Sequence, residues 1–123
     1  MLANQLQIKR TSSLGKKGED LAAQYLENKG YKIIDRNVYF RVSEIDIIAQ
    51  IGQVLVFVEV KARFGTALPA EAVTKIKLKK LHLALRQYLL NHPAKEYRLD
   101  VVAINFLAEG ATKIEHYENV GLD

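Results

Sequence analysis

Val54-Leu55-Val56-Phe57-Val58-Glu59-Val60-Lys61-Ala62-Arg63 is the stretch on which the reading of this chain turns. Its apolar run predicts a strand from Val54 to Ala62 buried on both faces. Two charges interrupt the end of that run. Side chains alternate along a strand, so Glu59 and Lys61 share a face with Leu55 and Phe57. Burying either charge alone is costly, and a buried pair often only breaks even. The pair is therefore either a structural ion pair at a strand end or part of a site.

The preceding segment repeats the anomaly. Glu44 to Ile51 reads as a strand, with Asp46 between Ile45 and Ile47 and sharing a face with Glu44 and Ile48. Gly52-Gln53 suits a two-residue hairpin link to the strand that starts at Val54. Counting outward from that link, residues whose numbers sum to about 105 face each other, which sets Asp46 opposite Glu59. Two carboxylates so placed repel unless something positive lies between them. A divalent cation suits the gap, and Lys61 is the available fixed charge.

Further out, a helix is predicted from about Leu14 to Lys29, capped at Ser12 or Ser13 and stopped at Gly30. Its apolar stripe is Leu21, Ala22, Tyr25 and Leu26, and Glu19 lies along the same face. Tyr31 to Val38 reads as a strand. Arg63 to Pro69 reads as a loop, and Ala70 to Asn91 as a second helix ended by His92-Pro93. The core face of that helix is Val73, Ile76, Leu81, Ala84, Leu85 and Tyr88. Arg98 to Phe106 and Lys113 to Tyr117 complete the strands. The order α-β-β-β-α-β-β predicts an α/β domain around a mixed sheet flanked by helices.

The chain has 123 residues, enough for one domain with its own core. Residues 1–13 read as a flexible segment and 14–123 as the single domain. The absence of cysteine excludes a disulfide framework and a thiolate zinc site. Met1 to Ser13 hold no long apolar run, and no stretch is long enough to span a bilayer, so the expectation is a cytoplasmic protein with no membrane partner. The 18 Lys and Arg exceed the 14 Asp and Glu, a mild excess compatible with a polyanionic partner and equally with a solvated surface.

The chemistry follows from the carboxylates. Oxygen ligands suit a hard ion, Mg²⁺ or Mn²⁺. Such an ion polarises a phosphodiester and helps deprotonate an attacking water. Asp46 and Glu59 are the candidate ligands, with Glu19 as a third carboxylate or a supporting contact. Lys61 is placed to hold the water or to stabilise charge developing on phosphorus. Lys77 and Lys80 fall on or beside the apolar stripe of the second helix. Lys77 is read as facing phosphate; for Lys80, snorkelling past the core edge carries slightly more weight. Arg63 and Arg98 are candidate phosphate contacts, with sheet support the competing role for Arg98 and Asp100. Glu44 is read as solvent-facing or structural. Tyr31, Tyr39 and Phe40, near Arg36 and Arg41, are read as core packing or ordinary loop surface before any base stacking. His82, His92 and His116 have no metal-ligand spacing.

From Gly15 onward the chain resembles the small bacterial YraN-like proteins. The resemblance rests on Gly15-Lys16-Lys17-Gly18-Glu19-Asp20-Leu21-Ala22-Ala23 and Tyr25-Leu26. It continues through Gly30-Tyr31, Arg36-Asn37, Glu44-Ile45-Asp46-Ile47-Ile48-Ala49 and Val56-Phe57-Val58-Glu59-Val60-Lys61-Ala62-Arg63, then Lys77 and Arg98-Leu99-Asp100-Val101-Val102. It implies a restriction-endonuclease-like core of the PD-(D/E)xK nuclease superfamily, with Asp46 as the metal-binding Asp and Glu59 and Lys61 as the Glu-x-Lys. Glu19 matches a helix-one Glu of relatives similar to archaeal Holliday-junction resolvases. Ser43 stands where the family usually has Gly.

Two functions are expected from these features. One is a Mg²⁺- or Mn²⁺-dependent endonuclease acting on DNA, including branched or damaged structures, with a homodimer as the form that would cut both strands. The other is a nucleic-acid-binding module of the same fold without turnover.

Overall fold

A computed structural model describes residues 2–65 and 74–121, with side chains described from Gly15 onward. Helix α1 (Leu2–Asn28) is followed by β1 (Lys32–Tyr39), β2 (Glu44–Ile51), β3 (Val54–Phe64), α2 (Lys75–Asn91), β4 (Glu96–Phe106) and β5 (Thr112–Tyr117). The five strands form one sheet in sequence order. β3 and β4 run parallel, joined through α2; the other neighbours are antiparallel. The order is the α-β-β-β-α-β-β expected, and the mixed sheet with a helix on each face is that of a restriction-endonuclease-like core.

β3 is central because both of its faces are covered. Val56 and Val58 pack with Ala22 and Leu26 of α1. Phe57 packs on the other face with Leu81, Leu85 and Tyr88 of α2. Each large side chain buried this way contributes about 1.5–3 kcal/mol, which is why the strand reads as an uninterrupted apolar run.

The ends of elements depart from expectation in informative ways. α1 begins at Leu2, so Ser12 and Ser13 lie within the helix and do not cap it. Gly30 does end it, at φ 94°, with the Tyr31 N–H returning to the Leu26 carbonyl. β3 continues through Phe64, because the parallel ladder with β4 extends to Phe64 and Phe106. Thr74 caps α2 by accepting from the Lys77 N–H; Ala70 to Val73, expected in this helix, lie outside the described residues. Ile76 is exposed and Leu78 takes its place in the core, so the buried stripe runs Leu78, Leu81, Leu85, Tyr88. No described helix is long and apolar enough to cross a membrane.

A candidate metal centre of converging carboxylates

The hairpin register counted from Gly52-Gln53 holds for Ile51↔Val54 through Ile47↔Val58 and stops one pair short of Asp46 and Glu59. The cause is a kink. Asn37 of β1 adopts φ 54°, a left-handed conformation that Asn tolerates better than most residues. In the β1–β2 ladder it falls opposite Asp46, between Arg36↔Ile47 and Val38↔Ile45. On one side of the kink Ile47 packs toward α1; on the other, Ile45 and Val38 pack toward α2. Strict alternation along β2 therefore fails around Asp46 for its apolar neighbours Ile45 and Ile47, while Asp46 does lie with Glu44. Released from the ladder, its Oδ2 accepts the Val60 N–H at 2.8 Å.

This geometry gathers carboxylates from three elements. One oxygen each from Glu19 of α1 and Glu44 and Asp46 of β2 lie within 4.8 Å of one another. Glu44, expected to face solvent or to be structural, is half-buried in this group. Asp46 and Glu59 are 7% and 5% exposed. Burial first, then the hydrogen-bonded Glu59 carboxyl, push Asp46 up to about 10; Glu44 adds to this and the Val60 N–H opposes it. Burial and then the Glu44 charge likewise raise Glu19, with Asn37 and Arg36 only partly offsetting them.

Glu59 stands beside this trio, on the α2 side. Its nearest fixed charge is Lys77, at 3.6 Å, and not Lys61. Lys77 also reaches the Ser43 hydroxyl at 3.4 Å. It sits in the first turn of α2, whose positive dipole end favours nearby anions. Lys61 is half-buried and has no hydrogen bond or ion pair among the described residues. Arg63 and Lys80 are exposed. Arg98 is committed elsewhere: it bonds Asp100 through Nε at 3.0 Å, donates to the Tyr31 hydroxyl at 2.7 Å, and lies level with Val56.

Two features explain how Glu19 reaches the cluster. Gly18 lets α1 lie directly on β3, since a Cβ there would stand 2.6 Å from that of Ala62. Arg36 anchors the same turn, bonding Asp20 at 2.7 Å and standing 3.9 Å from Glu19. The kink beside Asp46 also sets the Asn37 side chain near enough to Glu19 to lower its pKa in part. Glu44, Arg36 and Asn37 are the site residues that strand alternation missed. The signal for them was an Asn after Arg in a strand, a residue type suited to the left-handed conformation that kinks it.

An all-carboxylate donor set with no nitrogen or sulfur matches a hard, oxygen-seeking cation. Residues 18–104 match the profile of the uncharacterised protein family UPF0102. A UPF0102 protein of Beutenbergia cavernae is 38% identical over 118 residues, covering 93% of this chain and 100% of the relative. One of Geobacter sulfurreducens is 46% identical over 110 residues, 86% of each chain. One of Pelotomaculum thermopropionicum is 44% identical over 111 residues, 86% of this chain and 92% of the relative. The profile takes in Glu19, Glu44, Asp46, Glu59, Lys61 and Lys77, and with relatives this similar along most of its length the chain belongs to UPF0102, the YraN family.

Proposed function

We propose that this protein is a Mg²⁺- or Mn²⁺-dependent nuclease that hydrolyses phosphodiester bonds in DNA. The observation that carries the reading is the gathering of Asp46 with Glu59, Glu44 and Glu19 in one partly buried place, where burial first and then Glu59 and Glu44 raise the Asp46 pKa far from the carboxylate range. A protein that keeps four carboxylates together in one partly buried place gains from a cation that neutralises them. Glu19, Glu44 and Asp46 would hold the ion, and binding it would release the proton that Asp46 holds. When bound, a divalent cation supplies Lewis acidity toward a phosphodiester and toward water.

The chain's own groups divide the remaining work. Glu59, held by Lys77, orients Asp46 and is placed to accept a proton from water. Lys61, whose ammonium has no partner among the described residues, is free to meet a phosphate oxygen. Lys77 contributes positive charge at the same mouth, with Arg63 and Lys80 farther out as electrostatic guides. The resemblance to PD-(D/E)xK nucleases points to the same three residues, with Asp46 as the metal-binding Asp and Glu59 and Lys61 as the Glu-x-Lys; it differs in making Glu59 a ligand, where the geometry sets it beside the trio.

The test is cleavage of labelled linear, branched and single-stranded DNA with Mg²⁺ or Mn²⁺, beside Asp46→Ala. The wild type cuts at least one substrate and the variant cuts none; cleavage that persists in the variant removes Asp46 from the site. In parallel, saturating Mn²⁺ stabilises the wild type by about 2.7 kcal/mol at a hundredfold excess over Kd, and Asp46→Ala by much less. Equal melting shifts argue against a metal at these carboxylates. Metal-independent DNA binding without cleavage of any substrate favours the binding module.

A further inference from the structure

The turn between β1 and β2 stands over the carboxylate cluster and is unusual in what it exposes. The Phe40 N–H bonds the Ser43 carbonyl at 2.9 Å, closing a tight turn. Phe40 itself packs into the α2-side core, which pins the turn. Tyr39 points the other way and is 74% exposed. It is the ladder partner of Glu44, one of the three clustered carboxylates. The clustered carboxylates raise its hydroxyl pKa, Glu44 first and Glu19 and Asp46 more weakly, so the ring stands at the edge of the cluster. The ring is thus held beside the centre on a turn pinned by Phe40, and most of its surface is open to solvent. Arg41 and Val42 of the same turn are exposed beside it.

An exposed aromatic ring gains little against a continuous duplex, whose base faces are already stacked on one another. Against an unpaired nucleotide it gains a π-face, and a ring fixed in advance loses little freedom on stacking. We infer that Tyr39 is a substrate-selecting residue that stacks on an unpaired base next to the phosphate held at the carboxylate cluster, so the preferred ligand is single-stranded DNA or the unpaired arm of a branch. This rests on the nuclease reading for the identity of the polymer, and it adds which form of that polymer the site takes. Arg41 and Lys77 supply charge for the flanking phosphates, at the two sides of the same mouth.

The experiment reads binding separately from turnover. A short single-stranded oligonucleotide carrying 2-aminopurine, and its blunt duplex, are titrated with the full chain in Ca²⁺, which fills oxygen-ligand sites. Cleavage of the same DNAs is followed in Mg²⁺. The wild type is expected to bind the single strand more tightly than the duplex and to quench the 2-aminopurine on binding. Tyr39→Ala loses the quench and about tenfold in single-strand affinity, with duplex affinity unchanged. Tyr39→Phe keeps both, because it retains the ring on the same pinned turn and loses only the hydroxyl. A Tyr39→Ala protein that binds and quenches like wild type overturns the inference, as does a wild type that binds duplex at least as tightly as single strand. If Tyr39-dependent binding appears without cleavage, the stacking role stands and the turnover reading falls. If cleavage appears with no dependence on Tyr39, the reverse holds.

Discussion

Asp46 and Asp100 are both buried strand aspartates, and their surroundings drive them in opposite directions. Asp100, on β4, is 0% exposed. It accepts from Arg98, from His116 at 2.7 Å and from the Asn119 N–H at 2.9 Å. Burial alone would raise its pKa, and the bonds from His116, Arg98 and Asn119 outweigh it, so the carboxyl is held below its usual range. Around Asp46 the balance is reversed: three carboxylates and one backbone N–H surround it, and its pKa is raised. The Asp100 region is complete within the chain, as expected of a structural network whose cost of burial is met locally. The Asp46 region is left incomplete, and that imbalance separates a site from a brace.

The strongest way to break this comparison is to cut the brace. Asp100→Ala leaves Arg98 and His116 buried without their shared acceptor and should cost about 3–5 kcal/mol in urea denaturation. A loss below about 1 kcal/mol would show that the network is not structural.

A smaller effect is expected from Gly18, which positions Glu19 without belonging to either network. Gly18→Ala forces a methyl to 2.6 Å from the Ala62 Cβ, and overpacking of this kind costs about 1–3 kcal/mol. Because the helix must shift, the Mn²⁺-induced rise in melting temperature should shrink as well. Gly15 has open space around it, so Gly15→Ala should be neutral or stabilising by up to about 1 kcal/mol through helix propensity, with the Mn²⁺ response intact. Equal behaviour of the two variants would separate Gly18 from the site.

The finest test is the pH dependence of stability without metal. Asp100 has a lowered folded pKa, so its contribution is present above the unfolded value of 3.8 and is lost as pH falls through the folded value. Asp46 has a raised one, so its contribution is present below 3.8 and is lost as pH rises through about 10. Asp46→Asn should therefore gain on the wild type as pH rises from about 5 to 9, and Mn²⁺ should cancel that gain by stabilising the wild type alone. Parallel pH profiles for the two proteins would remove the strain from Asp46.

Much of the fold was legible because its signals are local. The apolar run from Val54 to Val58 marks a strand covered on both faces, and Gly52-Gln53 sets a register that the ladder follows as far as Ile47↔Val58. Other boundaries were decided by partners far along the chain. β3 reaches Phe64 because β4 is there to pair with it, and Leu78 displaces Ile76 from the core because the sheet surface meets that side of α2.

The site divides in the same way. The sequence by itself determined that Asp46, Glu59 and Lys61 are charges interrupting apolar strands, and that Glu19 lies on the buried face of its helix, because alternation and helical periodicity follow from backbone geometry alone. Only the tertiary structure decided that Glu44 joins the cluster and that Lys77 and not Lys61 pairs with Glu59, and it settled Arg98 on the sheet-supporting side of its two readings. The cluster depends on a kink at Asn37 and on the close seating of α1 at Gly18, and the Lys77 pair on where α2 meets the sheet; such approaches between segments distant in sequence leave no period in the sequence to read.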